Sequence, residues 1–385
     1  MKVYLLVLLS AAAITYLLTP VMRVGAARMG VLTPVRGRDV HKIPVPRLGG
    51  VGMYIGLVVA LLIAKQTQFL GPALSGRGFW AVIVSSGLIC LLGALDDMWE
   101  LDWTVKLLGQ FLAALVLVRM GVQLVSFPIG GITVGSSALS MFATVLVVVA
   151  LANAVNFVDG LDGLAAGMVG IGVSGFFLYS YVLSRLSGAE SYASLAATLS
   201  AAIVGVCLGF LPHNFHPARI FMGDSGALTL GFATGATVVI VTGQIDPSAV
   251  SRSSLAPAWL PILLPFAIML LPLLDMAMAV VRRTRAGVSP FHADRMHLHH
   301  RLLNAGHSHR RAVLVMYLWS AIVSLGTAAL VVAPPGAVWP VVLAAVGLGA
   351  AVTWLFLPGI STNDDVPGAE AAKTPPSTPT EGKQS

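Results

Sequence analysis

Five carboxylates, Asp96, Asp97, Asp159, Asp162 and Asp224, lie at the ends of strongly apolar segments, and all nine histidines lie in the polar gaps between such segments. The gaps concerned alternate along the chain. His41 falls in one, His213 and His216 in another, and His292, His297, His299, His300, His307 and His309 in a third. Polar groups placed in alternate gaps of an apolar chain collect on one face of a membrane, which points to chemistry there rather than to solubilisation. Carboxylates and an amide without thiols suit Mg2+, which is usually held by one or two carboxylates together with substrate phosphates. Clustered Arg and His suit phosphate, through paired guanidinium hydrogen bonds and imidazole donors. The combined reading is a membrane enzyme with a phosphorylated, water-soluble substrate and a lipid as the second one, since the chemistry need not otherwise sit in a membrane.

Each motif has a plainer reading beside it. Asp96-Asp97 closes an apolar run in GALDDMWELDW; adjacent carboxylates repel unless a cation or proton intervenes, yet acidic pairs also decorate helix ends. In NAVNFVDGLDGL, Asn153, Asn156, Asp159 and Asp162 recur at every third position, a polar stripe on a helix, whereas an ordinary cap needs one such residue. HNFHPARIFMGDSG sets Asp224 beside Gly223, with Ser225 as a candidate cap for the next helix. Phe221 is either an interface aromatic or a platform for a stacked base. The segment 282–311 is basic and rich in His, with Asp294, His297 and His300 three apart. Phosphate binding, a zinc site and a simple basic loop are all open there, but a basic loop explains the Arg and not the His. RGRDVHKIPVPRLGG contributes Arg36, Arg38, His41, Lys42 and Arg47 around two stiffening prolines. Lys106 is a snorkelling lysine or a phosphate ligand, and its closeness in sequence to Asp96-Asp97 favours the ligand.

The elements that must position these residues are membrane helices. Charged residues make up 10% of the 385-residue chain, against about 25% for a soluble domain. Apolar runs of about 20 residues, long enough to cross a bilayer core, are expected at 3–22, 48–66, 79–95, 105–122, 138–155, 164–184, 193–211, 225–243, 258–281, 312–333 and 337–357. Of the 23 Lys and Arg residues, all but Lys2, Lys65, Arg77, Arg119, Arg185 and Arg252 fall in one alternate set of loops or in the tail, so that face is cytoplasmic. The N-terminus is then outside and the C-terminus inside, and the histidines, which played no part in the assignment, all face the cytoplasm. The first segment reads as a retained span, because its basic residues follow the apolar run instead of preceding it. Ser126–Gly135 alternates in the β manner around Gly-Gly and is expected as a small external hairpin. Residues 1–358 form one membrane domain, and 359–385 read as a disordered tail. Cys90 and Cys207, both inside spans, suggest neither disulfide nor metal site. The net charge of +7 is explained by loop topology, so the partners are anionic lipids and substrates rather than nucleic acid.

The strings HKIPVPRLGG, GALDDMWELDWTVKLLGQ, NAVNFVDGLDGLAAG, FMGDSGAL and SPFHADRMHLHHRLLNAGHSHRRAV occur in this order. Together, over about residues 1–357, they resemble the polyprenyl-phosphate N-acetylhexosamine-1-phosphate transferases, and most nearly the bacterial N-acetylglucosamine-1-phosphate branch. The resemblance implies a Mg2+-dependent exchange of UMP on UDP-N-acetylglucosamine for undecaprenyl or decaprenyl phosphate, with Mn2+ as a substitute ion, in a plasma-membrane protein that pairs as a homodimer. It implies Asp224 and Asn156 as metal ligands. Asp96 and Asp97 match a pair acting on the lipid phosphate, and Asp159 and Asp162 match acids near metal and nucleoside. Lys42, Asn214 and Phe221 match uridine contacts. Lys106, Arg283, His297, His299 and His300 match groups that hold phosphates and sugar, with His297 in the catalytic set. Two departures matter. Leu32-Thr33-Pro34 stands where many relatives have an acid before the proline. HLHH replaces three consecutive His, which argues against the alternative phospho-MurNAc-pentapeptide branch. A cation-coupled transporter, with Asp275 as its intramembrane acid, is the rival from another class. It requires polar groups through the membrane depth, and here they crowd one side.

Overall fold

The computed structural model describes residues 1–33, 44–124, 136–187, 192–244, 270–285, 302 and 307–355. The described residues form an all-helical bundle: α1 (Lys2–Arg28), α2 (Gly49–Lys65), α3 (Arg77–Trp99), α4 (Trp103–Arg119), α5 (Ser137–Val158), α6 (Leu164–Ser187), α7 (Tyr192–Asn214), α8 (Gly223–Gln244), α9 (Leu270–Arg285), α10 (His309–Val332) and α11 (Pro335–Leu355). Eight of these, all but α2, α4 and α9, are long and apolar enough to cross a membrane. The expected hairpin over 126–135, the first part of the ninth expected span, Lys42, the His297–His300 stretch and the tail lie outside the described residues.

Several helices overrun the apolar runs that suggest them. α1 continues through Arg23 to Arg28, α3 through Asp96-Asp97 to Trp99, and α9 through Arg282 and Arg283 to Arg285. Hydropathy marks where hydrocarbon ends, whereas a helix continues until its hydrogen bonds are capped, and Arg is a good helix former. As a result, several chemical residues sit on terminal helical turns rather than in flexible gaps.

α7 and α8 form the centre. α8 is buried along its apolar length and packs on α2, α3, α5 and α7, while α7 packs on α1, α2, α6 and α8. Small residues allow it: Gly231 of α8 faces the backbone of Leu151 and Ala152, and Gly205 and Gly209 of α7 face the carbonyls of Leu8 and Ala12. Several hydroxyls in these helices return to their own backbone, as Thr229 to Ser225 (2.6 Å) and Thr198 to Ser194 (2.7 Å), so hydrocarbon is not asked to solvate them. α10 packs on α6 and α11 on α10. Polar contacts gather at one end of the bundle. It receives the C-terminal ends of α3, α5, α7 and α9 and the N-terminal ends of α4, α6, α8 and α10.

Candidate active site

The site begins at the N-terminus of α8, where the first backbone N–H groups have no partner within the helix. Asp97, from the last turn of α3, supplies it. Its Oδ1 accepts the Asp224 N–H at 2.9 Å and its Oδ2 the Ser225 N–H at 3.1 Å. The expected cap, Ser225, lies inside α8 and donates its hydroxyl to the Met222 carbonyl. Gly223 bridges the two helices with φ +68°, and a Cβ there would strike the Asp97 carboxylate. Gly93 of α3 and Gly50 of α2 press directly on the 224–226 backbone, which seats this terminus between three helices. Gly49 and Gly50 also donate to the carbonyls of Phe221 and Met222, at 3.0 and 2.9 Å.

Asp224, so fixed, meets three further elements. Lys106 of α4 reaches its Oδ2 at 3.0 Å and the Asp96 Oδ2 at 2.6 Å. Asn156, in the last turn of α5, donates to its Oδ1 at 3.0 Å. Asp96 uses its other oxygen to accept the Leu101 N–H at 2.8 Å, closing the α3–α4 turn. Adjacent residues on a helix point about 100° apart, so the two members of the acidic pair do different work: Asp97 holds α8, and Asp96 faces the cluster.

The Asn153–Asp162 stripe divides among three environments. Asn153 turns back into the bundle and donates to Gln110 at 2.5 Å. Asn156 enters the site. Asp159 ends α5 as its C-cap. Burial, and then the facing charges of Asp224, Asp97 and Asp162, push the Asp159 carboxyl up to about 8, with the Arg47 guanidinium opposing. Asp162, in the turn beyond, accepts His216 Nδ1 at 2.7 Å and the Ala218 N–H at 3.0 Å on one oxygen.

His213 and His216 flank Asn214, whose amide is engaged at both ends: Oδ1 accepts the Gly163 N–H and Nδ2 donates to the Ile220 carbonyl, both at 3.0 Å. Asn214 therefore ties the α5–α6 and α7–α8 turns together. Phe221 is half-buried, with its backbone bonded to Pro46 and Gly49. Arg283 of α9 is buried over the ring of Phe157, 5.5 Å from its centroid. His309 stacks on His216 at 4.4 Å, and Arg310 donates to the His216 carbonyl. Lys42, His297, His299 and His300 lie outside the described residues.

Two places can hold a metal. Around Asp224 the donors are the oxygens of Asp224, Asp96 and Asn156 with Asp159 behind, a hard set that fits Mg2+. The mutual repulsion of these acids and the ammonium lodged among them both show a place that attracts a cation. Asp162, His216 and His309 also bring ligand atoms within 4.8 Å of one another, but the two rings lie at 22° to each other and stack, so their nitrogens run side by side instead of converging.

Asp97 capping α8, and the roles of His216, His309, Arg47 and Gln110, do not follow from local sequence. The hydrogen-bonded pairs of Gln110, His216 and Asp97 are 43, 54 and 127 to 128 positions apart, and no short motif encodes such pairings.

Long apolar helices whose ends bring carboxylates, an amide and an ammonium to one point define a membrane protein with a charged polar cluster at one end of its bundle. Residues 79–242, from α3 to α8 and therefore including Asp96, Lys106, Asn156 and Asp224, match glycosyl transferase family 4. The chain is 46% identical to a decaprenyl-phosphate N-acetylglucosaminephosphotransferase of Mycolicibacterium smegmatis, over 91% of this chain and 88% of that one. It is 43% identical to the protein of the same name from Mycobacterium tuberculosis, over 94% and 90%. It is 35% identical to a probable undecaprenyl-phosphate N-acetylglucosaminyl 1-phosphate transferase of Bacillus subtilis, over 80% of each chain. The chain belongs to this family of polyprenyl-phosphate N-acetylglucosamine-1-phosphate transferases within glycosyl transferase family 4.

Proposed function

We propose that the chain transfers N-acetylglucosamine-1-phosphate from UDP-N-acetylglucosamine to decaprenyl phosphate at the cytoplasmic face of a bacterial plasma membrane, with Mg2+. The observation that carries this reading is the meeting of Asp96, Lys106, Asn156 and Asp224, from four different helices, at one helix-end cluster. A diphosphate needs concentrated positive charge at such a place, and the relatives' names supply the two substrates.

An oxygen of the lipid phosphate attacks the phosphorus that bears the sugar. The bond from that phosphorus to the bridging oxygen breaks, and UMP leaves. A phosphate monoester has its second pKa at about 6, so the nucleophile is already ionised at neutral pH and needs orientation more than a base. Asp96 agrees with that, since the Leu101 N–H and Lys106 already hold it. Asp224, Asp96 and Asn156 would hold Mg2+, which would neutralise charge on the diphosphate. Lys106 and Arg283 add positive charge for the substrate diphosphate, and Asp97 keeps Asp224 aimed by holding the helix it starts. Direct in-line attack is preferred to a phospho-Asp route because no residue here demands a second, water-protected step. A transporter or a phospho-MurNAc-pentapeptide transferase is not favoured: the polar groups form one cluster at one end, and the relatives similar over most of the chain carry the N-acetylglucosamine name.

The test is release of UMP from UDP-N-acetylglucosamine by the purified chain. It is expected only when decaprenyl phosphate and Mg2+ are both present, and Asp224→Asn should lower it by roughly 10²-fold or more. Release without the lipid, or undiminished release by Asp224→Asn at saturating Mg2+, would remove the reading.

A further inference from the structure

Lys106 stands where a divalent cation would bind. Its Nζ bridges the Asp224 Oδ2 at 3.0 Å and the Asp96 Oδ2 at 2.6 Å, which are the oxygens such an ion would need. The second Asp224 oxygen is also occupied, by the amide nitrogen of Asn156. A metal takes the carbonyl oxygen of an asparagine, and here the nitrogen end faces the carboxylate. The same two side chains that would help an ion-loaded site, Lys106 by charge and Asn156 by its oxygen, thus engage the oxygens the ion would use.

This arrangement is held in place by structure on both sides. Asp102 caps α4, accepting the Thr104 N–H at 2.9 Å, and Asp96 grips the turn through Leu101, so Lys106 projects from a well-anchored first turn. Asp97 fixes Asp224 from the other side.

We propose that Lys106 is an internal competitor of the metal: it neutralises Asp96 and Asp224 in the resting protein and is displaced when the ion enters. This rests on the proposed reading of the site as metal-dependent. Two consequences follow from charge alone. Free metal binds weakly until the displaced ammonium finds another anion, which the substrate diphosphate supplies, so ion and substrate bind with positive coupling. Removing the ammonium should improve binding of the bare ion while harming turnover, the reverse of what loss of a supporting residue does.

The experiment is a Mn2+ titration of the full-length purified chain without substrate, read by the loss of the free-ion electron paramagnetic resonance signal. Lys106→Met should tighten Mn2+ binding by roughly tenfold or more, since a unit charge a few ångströms from the site acts through an effective dielectric of about 20. Lys106→Arg, which keeps the charge, should remain as weak as the wild type. Adding Asp224→Asn to Lys106→Met should abolish the gain. Mn2+ binding by Lys106→Met that is unchanged or weaker, or a gain that survives Asp224→Asn, would overturn the proposal. Thermal melting of each variant separates misfolding from altered affinity, and Lys106→Gln, which also removes the charge, carries the same expected gain if Lys106→Met does not fold. Failure of the functional reading would show instead in wild-type UMP release, which this titration does not measure.

Discussion

The residue with the most unexpected work is Asp97. A carboxylate that accepts two N–H groups at a helix start satisfies donors that would otherwise lie unpaired in a buried place, and it meets the positive end of the helix dipole. Asp97→Ala should cost about 1–3 kcal/mol of stability and lower UMP release more than tenfold, because Asp224 is the second residue of the helix that loses its cap. Gly223→Ala should do much the same from the opposite partner. The φ of +68° disfavours any side chain, and the added methyl meets the Asp97 carboxylate. Thermal melting and UMP release, measured on both variants, check this; wild-type values for Gly223→Ala would show that the two helices do not meet there. The chemical identity of this site was legible in the sequence, since the acids, amide and lysine all sit in recognisable strings. Their division of labour was not. Asp97 and Asp224 are 127 positions apart, and nothing local distinguishes the member of an acidic pair that caps a distant helix from the one that faces the cluster.

At the scale of elements, the site depends on backbones lying closer together than side chains permit. Around the start of α8, Gly93 of α3 and Gly50 of α2 both touch the 224–226 backbone, and a Cβ on Gly93 would lie 2.5 Å from Asp224 and Ser225 atoms. Gly93→Ala should push α3 away from α8, part Asp96 and Asp97 from their partners, cost about 1–3 kcal/mol and abolish most turnover. Gly25, inside α1, has nothing within 4 Å of its would-be Cβ, so Gly25→Ala should leave both melting temperature and UMP release near wild type. Equal effects at the two positions would mean that Gly93 acts through helix propensity and not through close approach. Ten of the eleven expected spans coincide with helices to within a few residues, because apolar length is a strong signal. Their ends were less legible, as in α1 and α9, where charged residues stop the hydropathy but not the helix. The polar stripe was misleading in the same way: three-residue spacing is helical only until α5 ends at Val158, after which Asp159 and Asp162 occupy a cap and a turn.

For the whole molecule, the open quantity is how the bundle sits across the bilayer. Among the described residues, the helix ends that meet at the site are C-terminal ends of odd-numbered helices and N-terminal ends of even-numbered ones, as up-and-down alternation requires. Alternation alone does not say which end is inside. That rests on the Lys and Arg bias and on substrate chemistry, since a nucleotide sugar is met in the cytoplasm. Two reporters test both parts together. One attached after residue 358 should read cytoplasmic. One inserted at Ser75, exposed in the α2–α3 connection at the opposite end from Asp224, should read outside. If both read outside, the number of crossings between them is even, and one of α4, α9 or another helix in that stretch fails to span. If the tail reads outside and Ser75 inside, the crossings are counted correctly but the whole bundle is inverted. The Asp224 cluster would then face away from the cytoplasm, out of reach of UDP-N-acetylglucosamine, and the proposed reaction would fail on topology whatever the geometry of the site.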